Sequence, residues 1–457
     1  MATLDQTQEM DRSGVSGRLL RLAQELGDTS SRDENAVAGA TARVTALAPT
    51  GEELAALMSD RNPFVRSGAA RWMRHLSQVS QTAIDALRAA VYDQNPYVVQ
   101  AALGSAGILK IESVRTDARN CLDDSNPCVI HAAIFALGKL GPSEMGELLL
   151  PFLDSDEQHV QVAAITAIGQ LNYQPAIPLL IRRLEAVCEL LTRHRSQLNV
   201  ATRFLHTLVA LEAREAIPLF IRIARDEVGL RGLAVQGLIE LRAEEAAPAL
   251  LPMLSQLLDS QHEEKLCCRL LYLMTVVDYR FAMPTVRAFL GHRQPGIRCA
   301  ALKAVASWKD RDALDDIRLI ASADVSAFVR PAAVTALADI GSTDVLEELD
   351  RLGSDANALV RVSVAEALGR LVPLPDQARA TLTRLVRDEA LAVARAAQEA
   401  LLTQPVQVPT PPAVGSALPA SLREQASAAR AYLRRWQSER PSPEVADALQ
   451  ILLSVLD

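Results

Sequence analysis

Aromatic residues make up only 4% of this 457-residue chain, and lysine is rarer still. Lys110, Lys139, Lys265, Lys303 and Lys309 are the only five among 47 basic residues, the rest being Arg. Few aromatics beside abundant Ala argue against strands, which favour aromatic and β-branched side chains, and for closely packed helices. No apolar run approaches the roughly 18 residues that a membrane span needs. The opening MATLDQTQEMDR lacks the basic and apolar regions of a secretory signal. The expectation is a cytoplasmic protein, and the Arg and Ala bias fits a GC-rich bacterial source. The six Cys follow no framework spacing, so they read as free thiols in a reducing compartment. A net charge of −8 gives no basic footprint of a general polyanion binder.

Catalytic signatures are missing as well. The chain has no G-x-S-x-G, no Walker loop, no G-x-G-x-x-G, no H-E-x-x-H and no C-x-x-C. His262-Glu263 is a lone His-Glu pair, with too few ligands around it for a metal centre. The expectation is a non-enzyme without cofactor or metal.

What the chain does contain is one helical pattern, repeated eleven times about 31 residues apart. It reads DRNPFVRSGAARWMRHL from Asp60, DQNPYVVQAALGSAGIL from Asp93, DSNPCVIHAAIFALGKL from Asp124 and ANALVRVSVAEALGRL from Ala356. Apolar marks fall at Val65, Val98, Val129, Val160, Val200, Leu230, Leu266, Ile297, Val329, Val360 and Leu391. Small or apolar residues recur four, eight and eleven positions later, which traces one face of an α-helix. Ala dominates the fourth position (Ala69, Ala102, Ala133, Ala164, Ala234, Ala301, Ala333), so adjacent helices can approach closely. Asn62-Pro63, Asn95-Pro96 and Asn126-Pro127 place a capping side chain before a first-turn proline. Another helix precedes each pattern, with an early proline at Pro178, Pro218, Pro248 or Pro284. Each unit is thus an antiparallel helix pair, and a fixed period means the pairs stack in a row.

These features resemble HEAT repeats: an A-x-P-x-L first helix, a D-x-x-P-x-V-R junction and a second helix ending A-L-G-x-L. The short bacterial kind, also seen in phycobilisome lyase-type repeats, is the most similar. The resemblance implies an all-α α-solenoid, a superhelical array of about eleven helix pairs over residues 36–402. It also implies a ladder between units, made by the junction Asp and the Arg after the Val. Asp60/Arg66, Asp324/Arg330 and Asp355/Arg361 carry both residues, and Arg231 and Arg298 keep the Arg. Val99, Ile130, Gln161, Ala201, Cys267 and Ala392 interrupt it.

Spacings of 40 and 36 residues mark insertions at Arg182–Gln197 and Ser255–Lys265. Arg395 and Glu399 fall in the fourth and eighth columns counted from Leu391, as in a polar terminal cap. Residues 1–35 form a polar segment with one short helix. Residues 403–420 form a Pro-rich linker, and residues 421–457 a helical hairpin.

The expected function is a non-enzymatic scaffold or adaptor that binds a protein along the concave face, which second helices commonly line in such stacks. Candidate contacts are Arg66, Arg71, Arg74, Arg231, Arg298, Arg330 and Arg361, although junction carboxylates compete for most of them. Tyr432, Leu433 and Trp436 lie among arginines in the C-terminal hairpin, which suits docking or self-association. Two alternatives remain open. One is nucleic-acid binding in a basic groove, by analogy with HEAT-like alkylpurine DNA glycosylases. The other is an accessory role in bilin attachment, implied only by the repeat subtype.

Overall fold

A computed structural model describes residues 18–19, 21–26, 34–191, 197–260, 262–341 and 345–403. Among them there are helices and no strands, and eleven helix pairs follow one another in chain order. The second helices are Pro63–Trp72, Pro96–Ile108, Pro127–Leu140, Gln158–Gln170, Leu198–Ala210, Arg231–Glu240, Glu264–Val276, Pro295–Ser307, Val329–Ile340, Ala358–Gly369 and Leu391–Leu402. Each packs on its own first helix and on the second helices before and after it. At the N-terminal end Leu22 and Leu26 are buried, and Arg18 pairs with Glu53 at 2.6 Å. The packed body therefore begins before the repeats.

Burial follows the apolar columns. Val98, Ala102 and Ala106 are fully inaccessible, as are Val329, Ala333 and Leu337. Three-sided contact leaves no room for large side chains, which is why Ala serves where a two-layer protein would use Leu. The first insertion lengthens its first helix, Ile177–Leu191; part of it, residues 192–196, lies outside the described residues.

The last unit departs from the expected register. Leu391 is 82% exposed, whereas Val393 and Ala397 are fully buried. Asp388 starts this helix as Asp355 starts the one before, five residues ahead of the buried Val, so the true spacing from Val360 is two residues longer than the apolar pattern suggests. Arg395 and Glu399 accordingly leave the core columns. They form an exposed ion pair of 2.8 Å along the helix.

Junction chemistry explains where each second helix begins. Asn62, Asn95, Asn126 and Asn357 accept from the backbone N–H two residues on, a cap worth about 1 kcal/mol each. The Asp two residues earlier accepts from the Asn N–H itself, at 2.7–2.8 Å for Asp60, Asp93, Asp124 and Asp355. Its second task is to hold the preceding unit. Arg66 grips Asp93 through Nε and Nη2 at 2.6 and 2.8 Å while Nη1 donates to the Asp60 carbonyl. Arg298 holds Asp324 and Arg361 holds Asp388 in the same two-pronged way, all at 2.7 Å. Arg330 reaches Asp355 with one prong at 3.3 Å. Each rung thus joins an Arg to the Asp of the following unit, and Asp93 and Asp388 are partners the motif alone did not reveal. Three rungs run without a break through the C-terminal units.

The exit from the second helix also repeats. Lys110, Asn172, Glu212, Arg242, Asp278 and Lys309, twelve residues after their marks, adopt positive φ between 48° and 55°. The following N–H closes the turn onto the helix, as Ala213 does onto the Leu208 carbonyl at 2.9 Å. A non-glycine residue in this region costs roughly 1 kcal/mol. Glu212 is exposed, and Glu212→Gly is expected to stabilise the fold by about 0.5 kcal/mol after the loss of chain entropy, read as a higher urea midpoint.

The rungs also set an acid limit. Burial raises the carboxyls of Asp93 and Asp324, but the guanidinium of Arg66 or Arg298 and a backbone N–H outweigh it and hold both below the usual range. At Asp388 the Arg361 hydrogen bond dominates, with the same sign. Depressed folded-state values contribute stability in full above about pH 5 and lose it as pH falls below about 4. Urea midpoints should therefore be flat above pH 5 and drop at pH 3–4. Arg298→Ala should cost about 3 kcal/mol at pH 7 and flatten that acid dependence.

Candidate partner-binding face

Along each second helix, positions one before the mark and two, three, six and ten after it share the side turned away from the first helix. Consecutive helices align these positions, and shallow grooves run between them. One groove of about 330 Å³ lies over the helices of the first three units, lined by Arg71, Arg74, Gln100, Gly104, Ile108, His131 and Phe135. A second, of about 190 Å³, shares His131 and Phe135 and continues to Thr166, Gln170 and Arg203. A third follows at His206, Gln236 and Glu240. The largest, about 630 Å³, crosses three helices near the C-terminal end. Its floor is Ala306, Ala332, Ala336 and Ala367, and its rim Lys303, Lys309, Thr335 and an Asp339–Arg370 pair at 3.3 Å.

Apolar side chains stand out along the same face. Phe64, Tyr97, Tyr272, Phe328 and Leu359 are all more than half exposed. The Ser67 hydroxyl donates to the Tyr97 carbonyl, which shows that the residue before each mark lies beside the preceding helix.

The candidate arginines separate into two groups. Arg66, Arg298, Arg330 and Arg361 are committed to the junction ladder, and Arg231 leans on Glu263 at 3.5 Å and the Arg225 carbonyl at 3.0 Å. Arg71 and Arg74 lie in the first groove instead. Arg74 donates from Nε to the Arg71 carbonyl at 3.0 Å, and neither guanidinium has a carboxylate partner among the described residues. Burial, then the neighbouring Arg71, pushes the Arg74 pKa down. Tyr432, Leu433 and Trp436 lie outside the described residues.

Histidines from successive units also gather on this face. His131 and His159 face each other with ring centroids 5.7 Å apart, and burial followed by His159 lowers the pKa of His131. His75 and His206 belong to the same face. The four occupy different offsets from their marks, and only the helical turn brings those offsets to one side. Chemistry elsewhere is quiet. Burial pushes the thiols of Cys188 and Cys267 up to about 12, so neither ionises near neutrality. Among the described residues no group of three or more potential ligands is placed to hold a metal ion, and no helix is long and apolar enough to cross a membrane.

Comparison with known proteins agrees with this architecture. A sequence model of the family described as HEAT repeats matches residues 116–187 and 283–369. Among solved structures, importin beta aligns with a TM-score of 0.56 at 14% identity, over 83% of this chain and 61% of that one. Kap95p, in a structure concerned with the switch loops of RanGDP, gives 0.54 at 15% identity over 96% and 66%. Kap121p bound to the SUMO protease Ulp1p gives 0.51 at 13% identity over 97% and 53%. The chain thus spans less than two thirds of the length of these karyopherins, and the likeness is one of fold. No curated protein matches the sequence. Repeat pattern, helix-pair stacking and family match lead to one conclusion: the chain is an all-α solenoid that carries HEAT repeats at residues 116–187 and 283–369.

Proposed function

We propose that this chain is a non-enzymatic scaffold or adaptor that grips a partner protein along the face formed by its second helices. The carrying observation is the series of grooves between successive second helices, floored by small residues and flanked by exposed Phe64, Tyr97, Tyr272, Phe328 and Leu359. Such grooves accept side chains from an apposed segment, and exposed aromatic anchors are what protein interfaces are enriched in. Solved relatives of the same fold include Kap121p bound to Nup53p and to Ulp1p, which supports a protein ligand. Arg66, Arg298, Arg330 and Arg361 of the ladder act within the stack on this reading, as does Arg231, and Arg71 and Arg74 act outside it. Residues 421–457, with Tyr432, Leu433 and Trp436, supply a docking or self-associating hairpin.

Two measurements test this. Thr335→Arg and Thr166→Arg each place a bulky charge in a groove, and each should reduce recovery of the native partner at least fivefold. Leu319→Arg, on an exposed first-helix position, should leave it unchanged. Loss with Leu319→Arg alone would put the interface on the other face. For the hairpin, Leu433→Asp with Trp436→Asp should weaken self-association in sedimentation equilibrium. An unchanged association constant would remove the hairpin from that role.

A further inference from the structure

The five second helices of the N-terminal units share a property that the remaining six mostly lack. From Pro63 to His75, and within Pro96–Ile108, Pro127–Leu140, Gln158–Gln170 and Leu198–Ala210, there is no Asp or Glu, although 55 of the 457 residues are acidic. Later second helices carry Glu240, Glu264, Asp339, Glu366 and Glu399. Helix physics does not account for the exclusion, because carboxylates in a first turn are favourable. Nor does burial, since the same helices expose Arg71, Lys139, Arg203 and His206. The first helices opposite keep their acids, among them Asp85, Asp117, Glu147 and Glu185. The second helices of half the solenoid thus carry no acid in a chain whose net charge is −8, and a carboxylate at their edge, that of Glu157, lies 3.7 Å from His159.

Four permanent cations of that face, Arg71, Arg74, Lys139 and Arg203, form no ion pair with any described carboxylate. Arg74 is the most telling. It is half-buried, its pKa is lowered by burial, and it lies toward Gly104, where a Cβ would stand 3.7 Å from Nη2. A half-buried guanidinium without a counter-ion is costly, and an incoming carboxylate would remove the cost. Between the cations the grooves present Ile108, Phe135 and Val162.

We infer that the second-helix face of units one to five is a docking site for an acidic amphipathic segment of a partner protein, its carboxylates meeting Arg71, Arg74, Lys139 and Arg203 and its apolar side chains entering the grooves at Phe135. The inference rests on the scaffold reading and gives its partner a chemistry. Five helices about 10 Å apart span roughly 40 Å, which a helix of about 27 residues covers. That length carries about one cation per 10 Å, against one phosphate per ~1.7 Å of duplex, so the density suits a protein segment with a few carboxylates and not a nucleic acid.

The test uses the full chain and fluorescence anisotropy with labelled peptides of 27 residues. One peptide is an amphipathic helix with Glu on one side and Leu on the other. Its counterparts carry Lys in place of Glu, or Ser in place of Leu, and a duplex oligonucleotide of similar length is run beside them. The Leu/Glu helix should bind, and tenfold more salt should weaken it at least fivefold. The Lys and Ser counterparts should bind at least tenfold more weakly. Arg71→Ala with Arg74→Ala should cost at least tenfold, Arg74→Lys should retain part of the affinity, and Arg318→Ala on a first helix should change nothing. Preference for the Lys peptide or for the duplex, or indifference to the Arg71/Arg74 pair, would overturn the inference. If recovery of the native partner depends on Thr335→Arg but not on Arg74→Ala, the scaffold reading stands and this site falls.

Discussion

Close approach of successive second helices is the constraint on which everything else in this molecule depends. A Cβ added at Gly138 would stand 2.8 Å from the Ala167 Cβ, and one at Gly369 would stand 2.6 Å from that of Ala400, both shorter than atoms tolerate. The backbones therefore touch through glycine and alanine, and the buried columns hold Val and Ala where other folds hold larger groups. Interiors packed at crystal-like density transmit such spacing from one unit to the next. The grooves exist because the helices are this close and their outward residues fall in register. A wider stack would lose both.

Within that stack the junction Asp performs two structural tasks with one carboxylate. It closes the turn that starts its own helix and receives the Arg of the unit before, so helix start and unit-to-unit spacing are set at one point. The ladder is dense in the C-terminal units and absent where Val99, Ile130, Gln161 and Ala201 replace the Arg. Val99 and Ala201 are buried, and Gln161 turns back to the Leu153 carbonyl at 2.8 Å. Of the five N-terminal units, whose second helices carry no acid, the second to the fifth also lack a rung, the first being the exception with Arg66. The C-terminal units thus spend their arginines on cohesion, and the N-terminal ones, Arg66 apart, leave Arg71, Arg74 and Arg203 for contact with solvent or partner.

Much of this was legible in the chain. Eleven units, their second-helix boundaries and the buried columns follow from apolar offsets and Asn-Pro starts, because a helix between helices has few other ways to be written. The last unit was misread because Leu391 mimics the mark at a period of 31, and only the Asx turn at Asp388 distinguishes it. Rung partners were hidden because Arg and its Asp belong to different repeats, so a motif read within one copy pairs the wrong residues. The face was legible only in part. Arg71 and Arg74 were visible as a cluster, whereas the grouping of His131 with His159 requires placing different offsets on one helix face, and the absence of acids requires comparing whole copies. A list of motifs contains no entry for a residue type that is missing.

The central claim is that neighbouring second helices meet at glycine and that this contact holds the face together. Hydrogen–deuterium exchange on Gly138→Val tests it most directly. Exchange should rise not only in Pro127–Leu140 but also across Gln158–Gln170, with the distal helices Val329–Ile340 and Ala358–Gly369 unchanged. Normal protection of Gln158–Gln170 in a folded Gly138→Val protein would contradict the account.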